Sequence, residues 1–256
     1  MHMPIGKRWR SRSLVLVLAA LISWPCAAVA QTADLPPPAS APSGTAQAGD
    51  PWEWWPELNL FKNANPTTRF YFVAAGSKGK ESQYRTLDLA GYVDLTVGPH
   101  LPHSRQKKDW QTKKYFWARI GYDHIFKAEG KTRAASEDRG IVALYARHYL
   151  PWAILVEGRA RADLRWLDSG YSTRYRFRGE VNRDFDAFGH VVTPYFQAEY
   201  FYDARYDRWS RELYQTGAEI ALTRHFRVEP SVARQVDDLR TRSGLWAFAF
   251  VARWYY

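Results

Sequence analysis

The sequence predicts an all-β chain closed into an antiparallel transmembrane β-barrel. Three observations predict it: an N-terminal export signal, long segments in which polar and apolar residues alternate, and a final strand faced with aromatic side chains. At 256 residues the chain suits one main domain.

The export signal comes first. Lys7, Arg8, Arg10 and Arg12 precede an apolar run from Leu14 to Ile22, and Ala28-Val29-Ala30 follows ahead of Gln31. A basic stretch, a short apolar core and a small-residue site form a secretory signal, and the run is shorter than the roughly 20 residues a spanning helix needs. Trp24-Pro25 stands before Cys26, where a lipoprotein signal wants small or aliphatic residues, so lipidation is not expected. Cleavage after Ala30 removes the one cysteine and, with it, any disulfide framework, cysteine metal site or cysteine nucleophile. It also lowers the net charge from +10 to +6, because four of the 36 basic residues and none of the 26 acidic ones lie in the signal. The remaining charges alternate with aromatic residues and form no basic block, so nucleic acid is not an expected partner. Residues 31–50, rich in Pro, Ala, Ser, Thr and Gly, read as a flexible linker. The barrel domain is expected over residues 51–256.

The alternation is the second observation. Mean hydropathy is −0.47, yet 46% of residues are hydrophobic and 16% aromatic, so the apolar residues must be dispersed. A membrane barrel disperses them by facing every second side chain to lipid and the others to a polar interior. In the segment 174–185, Arg174, Arg176, Arg178, Glu180, Asn182 and Asp184 share one face, while Tyr175, Phe177, Val181 and Phe185 share the other. Upstream, Arg159, Arg161, Asp163 and Arg165 oppose Ala160, Ala162, Leu164 and Trp166. The third observation is the C-terminus. Trp246, Phe248, Phe250, Trp254 and Tyr256 line one face of the last segment, resembling the signal read by the barrel-assembly machinery of Gram-negative bacteria.

Taken in order, the strands are expected at 67–76, 84–98, 113–126, 138–149, 152–166, 171–184, 191–203, 210–223, 226–236 and 245–256. Most reach or exceed the roughly 9–11 residues of a tilted transmembrane strand. Short turns (Leu150-Pro151, Asp186 to Gly189, Arg224-His225) alternate with longer charged connections (Gly76 to Ser82, Lys127 to Glu137, Asp203 to Trp209, Asp237 to Ser243). The segment 99–112 is long where a short turn is expected. Ten strands, or twelve if one crossing is hidden, would put both chain ends on the periplasmic side. The aromatic segment Trp52 to Phe61 is strand-like but would make the number odd.

Several stretches resemble a known family: WWPEL (54–58), RADLRW (161–166), YRFRGEVNRDF (175–185) and TPYFQAEYFYDARYDRW (193–209). They look like an outer-membrane barrel family catalogued as domain of unknown function 2490. The resemblance spans about residues 52–256 and implies an outer-membrane barrel. It implies no activity and carries over no catalytic residue.

The candidate site is the interior. Parity places Arg119, Asp123, Arg147, Arg159, Arg161, Asp163, Arg165, Arg174, Arg176, Arg178, Glu180, Glu199 and Glu219 inward. Eight of these are basic and five acidic. Such charges either pair into a structural ladder or line a narrow pathway or binding site for anions, since arginine forks bond phosphate and carboxylate at two points. Glu199, Asp203 and Asp207 are oxygen donors of the kind calcium takes, but nothing in the sequence fixes their geometry.

An alternative is an outer-membrane lipid hydrolase acting on lipid A or phospholipid, for which His124 and His148 fall on lipid-facing parity. Serines lie mostly in loops (Ser136, Ser169, Ser172, Ser210, Ser243), and no Gly-x-Ser-x-Gly elbow, Walker loop, dinucleotide fingerprint or HExxH occurs. His100 and His103 sit in a basic turn. A third possibility is a scaffold or adhesin using its external loops. No catalytic residue, cofactor or metal site is assigned. The expected partners are outer-membrane lipid, lipopolysaccharide and the assembly machinery, with the barrel a monomer.

Overall fold

Alternation at period two, sustained over a dozen residues, leaves each strand with one face for lipid and one for the interior. The computed structural model describes residues 52–79, 85–96, 115–128, 136–167, 169–238 and 243–256. The export signal, the linker, the segment 99–112 and parts of three charged connections lie outside the described residues. In chain order the strands are β1 (Trp52–Asn63), β2 (Thr68–Gly79), β3 (Arg85–Thr96), β4 (Phe116–Ala128), β5 (Glu137–Leu150), β6 (Ile154–Leu167), β7 (Gly170–Arg183), β8 (Phe185–Ala187), β9 (His190–Asp203), β10 (Arg208–Ala221), β11 (Phe226–Asp237) and β12 (Ser243–Tyr255).

Each long strand pairs antiparallel with the next around the ring, and β1 closes it by pairing with β12 in parallel, from Trp52 opposite Trp246 to Phe61 opposite Tyr255. The fold is the expected barrel, but its strand number is eleven rather than ten or twelve. β8 is a three-residue extension of the β7–β9 hairpin, paired with β9 alone. The aromatic segment Trp52 to Phe61 is a full strand. In an up-and-down ring the first and last strands run antiparallel if the count is even and parallel if it is odd. The parallel seam is therefore how eleven strands close. It also corrects the expected position of the chain ends: Trp52 and Tyr256 lie at opposite ends of the barrel, because β1 and β12 run the same way.

The outer wall is apolar. Phe70, Phe72, Leu87, Leu89, Ile120, Phe126, Val142, Phe177, Val181, Phe196, Phe248 and Phe250 all stand exposed on it. The inner face holds the buried charges and a row of stacked rings. Tyr255, Phe61, Tyr71 and Tyr92, from β12, β1, β2 and β3, stack at centroid spacings of 4.7, 4.5 and 5.2 Å. The row crosses the parallel seam, and Trp117 on Tyr145 (4.5 Å) repeats the motif between β4 and β5. Offset aromatic pairs of this kind contribute about 0.5–1.5 kcal/mol beyond area burial.

Two hairpin turns at the end where β12 finishes use positive φ. Trp152 and Ala153 (φ 63° and 59°) close β5 onto β6, and Phe188-Gly189 (φ 54° and 76°) close β8 onto β9. Phe188-Gly189 is a two-residue loop, for which two positive φ angles give the favoured twist, whereas Pro151–Ala153 is a three-residue loop. The Phe188 ring is 99% exposed at its tip.

Gly121 of β4 is required by close approach. A Cβ there would lie 2.3 Å from the Tyr92 ring and 2.4 Å from the Gly91 carbonyl. Gly158 of β6 meets nothing within 4 Å. Overpacking costs about 1–3 kcal/mol. Gly121→Ala is expected to lower the stability of the detergent-folded barrel by that amount, and Gly158→Ala to leave it within about 0.5 kcal/mol. Urea unfolding followed by tryptophan fluorescence measures both. Equal effects would show that the Tyr92 ring does not depend on the bare Gly121 backbone.

Candidate functional site: the charged bore

Inward side chains must be satisfied inside a wall that offers them no water from the lipid side, and unpaired buried charges are costly. The structure places all thirteen expected residues on the inner face of their strands. Eleven of them line one cavity of about 660 Å³, and Asp163 and Arg165 are buried beside it. They act in groups, with one carboxylate typically held by two guanidinium groups.

At the end where β12 finishes, Asp94 of β3 receives Arg119 of β4 through Nε (2.6 Å) and Nη2 (3.1 Å), and Arg69 of β2 through Nε (3.1 Å). Arg119 lies over the Tyr71 ring at 4.3 Å and near Tyr92 and Tyr145 at 5.2 Å. Arg69 and Asp94 are fully buried. Next to this group, Glu157 of β6 takes Arg147 (Nε, 2.6 Å) and Arg178. Arg147 also lies over Trp117, 4.6 Å from its centroid.

The middle of the bore carries a local conflict. On β6 and β7, Arg159 faces Arg178 and Arg161 faces Arg176 directly across the ladder. Like charges in that position repel. Carboxylates neutralise them. Glu199 of β9 takes Arg176 through Nε and Nη2 (2.7 and 3.1 Å) and Arg159 from two strands away, and Asp163 pairs with Arg161. Asp203 of β9 likewise accepts from Arg174 of β7 (3.1 Å) and, across β7, from Arg165 of β6 (3.2 Å). Arg165 and Arg139 (Nε, 2.7 Å) share Glu137 of β5. Glu180 stands 3.6 Å from Arg178, and Asp123 stands 3.5 Å from Arg139. Toward the seam, Glu219 takes Arg227 (2.6 Å) and Arg253, and Glu229 takes Tyr195 (2.6 Å) and Arg253.

The inward list expected from parity leaves out the residues that balance this charge. Arg69, Arg139, Arg211, Arg227 and Arg253 also point inward, with Glu53, Glu57, Asp88, Asp94, Glu137, Glu157, Asp184, Asp203, Glu229 and Asp237. Among the described side chains the interior therefore holds thirteen arginines and fifteen carboxylates. The expected excess of basic over acidic groups does not survive once β1 and every inward parity position are counted. Alternation around Asp88 and Asp94 in β3 was the signal that would have found two of them.

Glu199, Asp203 and Asp207 do not converge. The first two are held by arginines inside, and Asp207 accepts from the Tyr202 hydroxyl in the turn beyond β9. On the outer wall His124 Nδ1 lies 2.6 Å from Asp138 Oδ1 on the neighbouring strand, and the Tyr122 hydroxyl donates to the same oxygen. The His124 and Asp138 side chains are partly exposed, at 27% and 42%. His148 stands 3.5 Å from the Tyr115 hydroxyl, and His190 and His225 lie against the carbonyls of Ala221 and Tyr255 at 3.1 and 2.8 Å. Ser172 and Ser210 are buried, next to Asp203 and the Phe201 carbonyl. His100 and His103 lie outside the described residues.

An apolar outer wall around a charge-filled bore defines the class of closed β-barrels built to sit in a membrane. No family model matches the chain, and no curated protein matches it. Among solved structures it is similar to LpxR from Salmonella typhimurium, at a TM-score of 0.48 and 10% identity over 77% of this chain and 87% of that one.

Removing the shared carboxylate of a buried group strands two cations, whereas removing one arginine leaves the other in place. Asp94→Asn is expected to destabilise the folded barrel by about 3–5 kcal/mol. Arg119→Met, which keeps a side chain among the tyrosines and leaves Arg69 on Asp94, is expected to cost clearly less. Urea titration of the detergent-folded variants compares them. Equal losses would mean that Asp94 does not anchor both arginines.

Proposed function

We propose that this chain is a bacterial outer-membrane barrel whose interior forms a narrow polar pathway or binding cavity, with a structural role for the ion pairs that line it. The export signal, the lipid-facing parity, the terminal aromatic strand and the resemblance to the outer-membrane barrel family support the location. Lipopolysaccharide and phospholipid are then the outer wall's neighbours, and the assembly machinery its route of insertion.

One observation carries the pathway. The cavity of about 660 Å³ is lined by residues from both ends of the strands, from Glu53 and Ser77 to Asn182, Asp184 and Glu219. Barrel diameter grows with strand number, and eleven strands stand between the side-chain-filled barrels of eight and the water-filled porins of sixteen. Near-balanced interior charge argues against a strong preference for anions. Purified protein in planar bilayers is expected to give small, steady conductance steps with weak ion selectivity. Electrical silence of protein shown to be folded would overturn the pathway and leave a closed structural barrel.

A second reading rests on His124. Asp138 on Nδ1 is the arrangement that orients an imidazole and leaves Nε2 facing out, toward the membrane, as a general base. Water attacking an ester carbonyl would give its proton to Nε2, and the imidazolium would return it to the departing alkoxide. On this reading, incubation with outer-membrane lipid yields free fatty acid, seen by mass spectrometry, and His124→Ala abolishes it with the barrel intact. No acyl loss from the wild-type protein would discard the hydrolase.

A further inference from the structure

We infer that the bore holds a binding site for small zwitterionic solutes, with a seat for a cationic group on the β1–β3 wall and one for an anionic group on the β6–β7 wall. The inference deepens the cavity reading above. It requires the cavity, whether or not the cavity conducts.

Charge in the bore is balanced in total but segregated around the ring. β6 and β7 carry six inward arginines, Arg159, Arg161, Arg165, Arg174, Arg176 and Arg178, and part of their compensation comes from β5 and β9. Across the bore, β1 carries Glu53 and Glu57 and no inward arginine. Four strands lie between β1 and β6 in one direction and five in the other, so the two walls face each other.

Beside the Arg69–Asp94 pair at one end, three carboxylates of this wall, Glu53, Glu57 and Asp88, have no ion pair among the described residues. Glu53 accepts from the Trp55 indole and Glu57 from the Asn59 amide, each at 2.7 Å. Glu57, Ala75 and Asp88 are successive partners across β1, β2 and β3. The two carboxylates therefore flank an alanine, whose small side chain leaves room between them. An ammonium group placed there meets carboxylate oxygens on either side.

Unsatisfied buried atoms mark both walls. Oδ1 of Asp88 on β3, and of Asp123 on the adjoining β4, are buried acceptors with no hydrogen-bond partner among the described residues, and Nε of Arg159, Arg174 and Arg178 are buried donors with none there. All five residues line the same cavity, and Asp123 is only 5% exposed. Groups buried in this way cost free energy until something bonds to them. A solute with an ammonium at one end and a carboxylate or phosphate at the other supplies donors to the first wall and acceptors to the second. A monovalent ion supplies one alone and is repelled by the other wall. The cavity volume lies within the ordinary range for small-molecule sites, about 300–1,000 Å³.

Isothermal titration of the full-length protein folded in detergent tests this with three solutes built on the same four-carbon chain: 4-aminobutyrate, butyrate and butylammonium. The zwitterion is expected to bind about tenfold or more tightly than either ion, a difference of about 1.4 kcal/mol or more. Asp88→Asn leaves every arginine its partner and is expected to bring 4-aminobutyrate down to the level of butyrate. Ala75→Leu fills the seat and is expected to abolish the preference. Circular dichroism and heat-modifiable mobility confirm that both variants are folded. Equal binding of the three solutes, binding of butyrate alone, no binding by the folded wild-type protein, or an Asp88→Asn variant that binds as before would each overturn the inference. Bilayer conductance with no zwitterion preference would sink the site and spare the pathway. Binding without conductance would do the reverse.

Discussion

The constraint on which the structure depends is the sharing of buried carboxylates between arginines. An apolar outer wall sends most charges on the strands inward, and the interior tolerates guanidinium groups only where an acid meets them. Asp94, Glu137, Glu157, Glu199, Asp203 and Glu219 each meet two arginines. Because the arginines come from different strands, each carboxylate braces the wall as well as neutralising it. Arg159 and Arg165 reach past β7 to acids on β9, so the brace spans more of the circumference than one ladder of hydrogen bonds. The repulsion between facing arginines on β6 and β7 is thereby turned into a requirement for β9 beside them.

The aromatic row does for the seam what the carboxylates do for the antiparallel walls. Parallel pairing is slightly weaker per residue than antiparallel. Where β1 meets β12, the Phe61–Tyr255 stack continues through Tyr71 to Tyr92, and Tyr71 donates to Asn59 at 3.0 Å. Arg69 over Phe61 and Arg227 over Tyr255 add cation–π contacts on either side of the junction. Side chains on four consecutive strands thus bind the one place where the chain's hairpin connectivity does not.

Much of this was legible in the sequence. Strict alternation in β6, β7 and β12 sorted inner from outer faces correctly, because a one-residue slip would have exposed arginines to lipid. Position along the chain also located ten of the eleven long strands. β1 was harder: Trp52 to Phe61 alternates, but parity reasoning assumes antiparallel neighbours throughout and leaves no place for an odd strand. The charge balance was illegible for a different reason. Arg159 finds Glu199 across 40 positions and an intervening strand, and only the closed ring says which acids lie within reach. The outward pair of His124 and Asp138 depends on the β4–β5 register, so alternation shows the histidine's face without its partner.

The parallel seam also limits how a barrel of this kind can change size. Gain or loss of a whole hairpin alters the strand number by two, so the ring passes from eleven to nine or thirteen and its terminal strands still meet in parallel. A single strand cannot be added or dropped without reversing the direction in which one terminal strand meets the other. An even-numbered relative would then need a new seam register, a new partner for Phe61 and Tyr255, and a chain end moved to the opposite face of the membrane. Within such a lineage, oddness is inherited more readily than diameter.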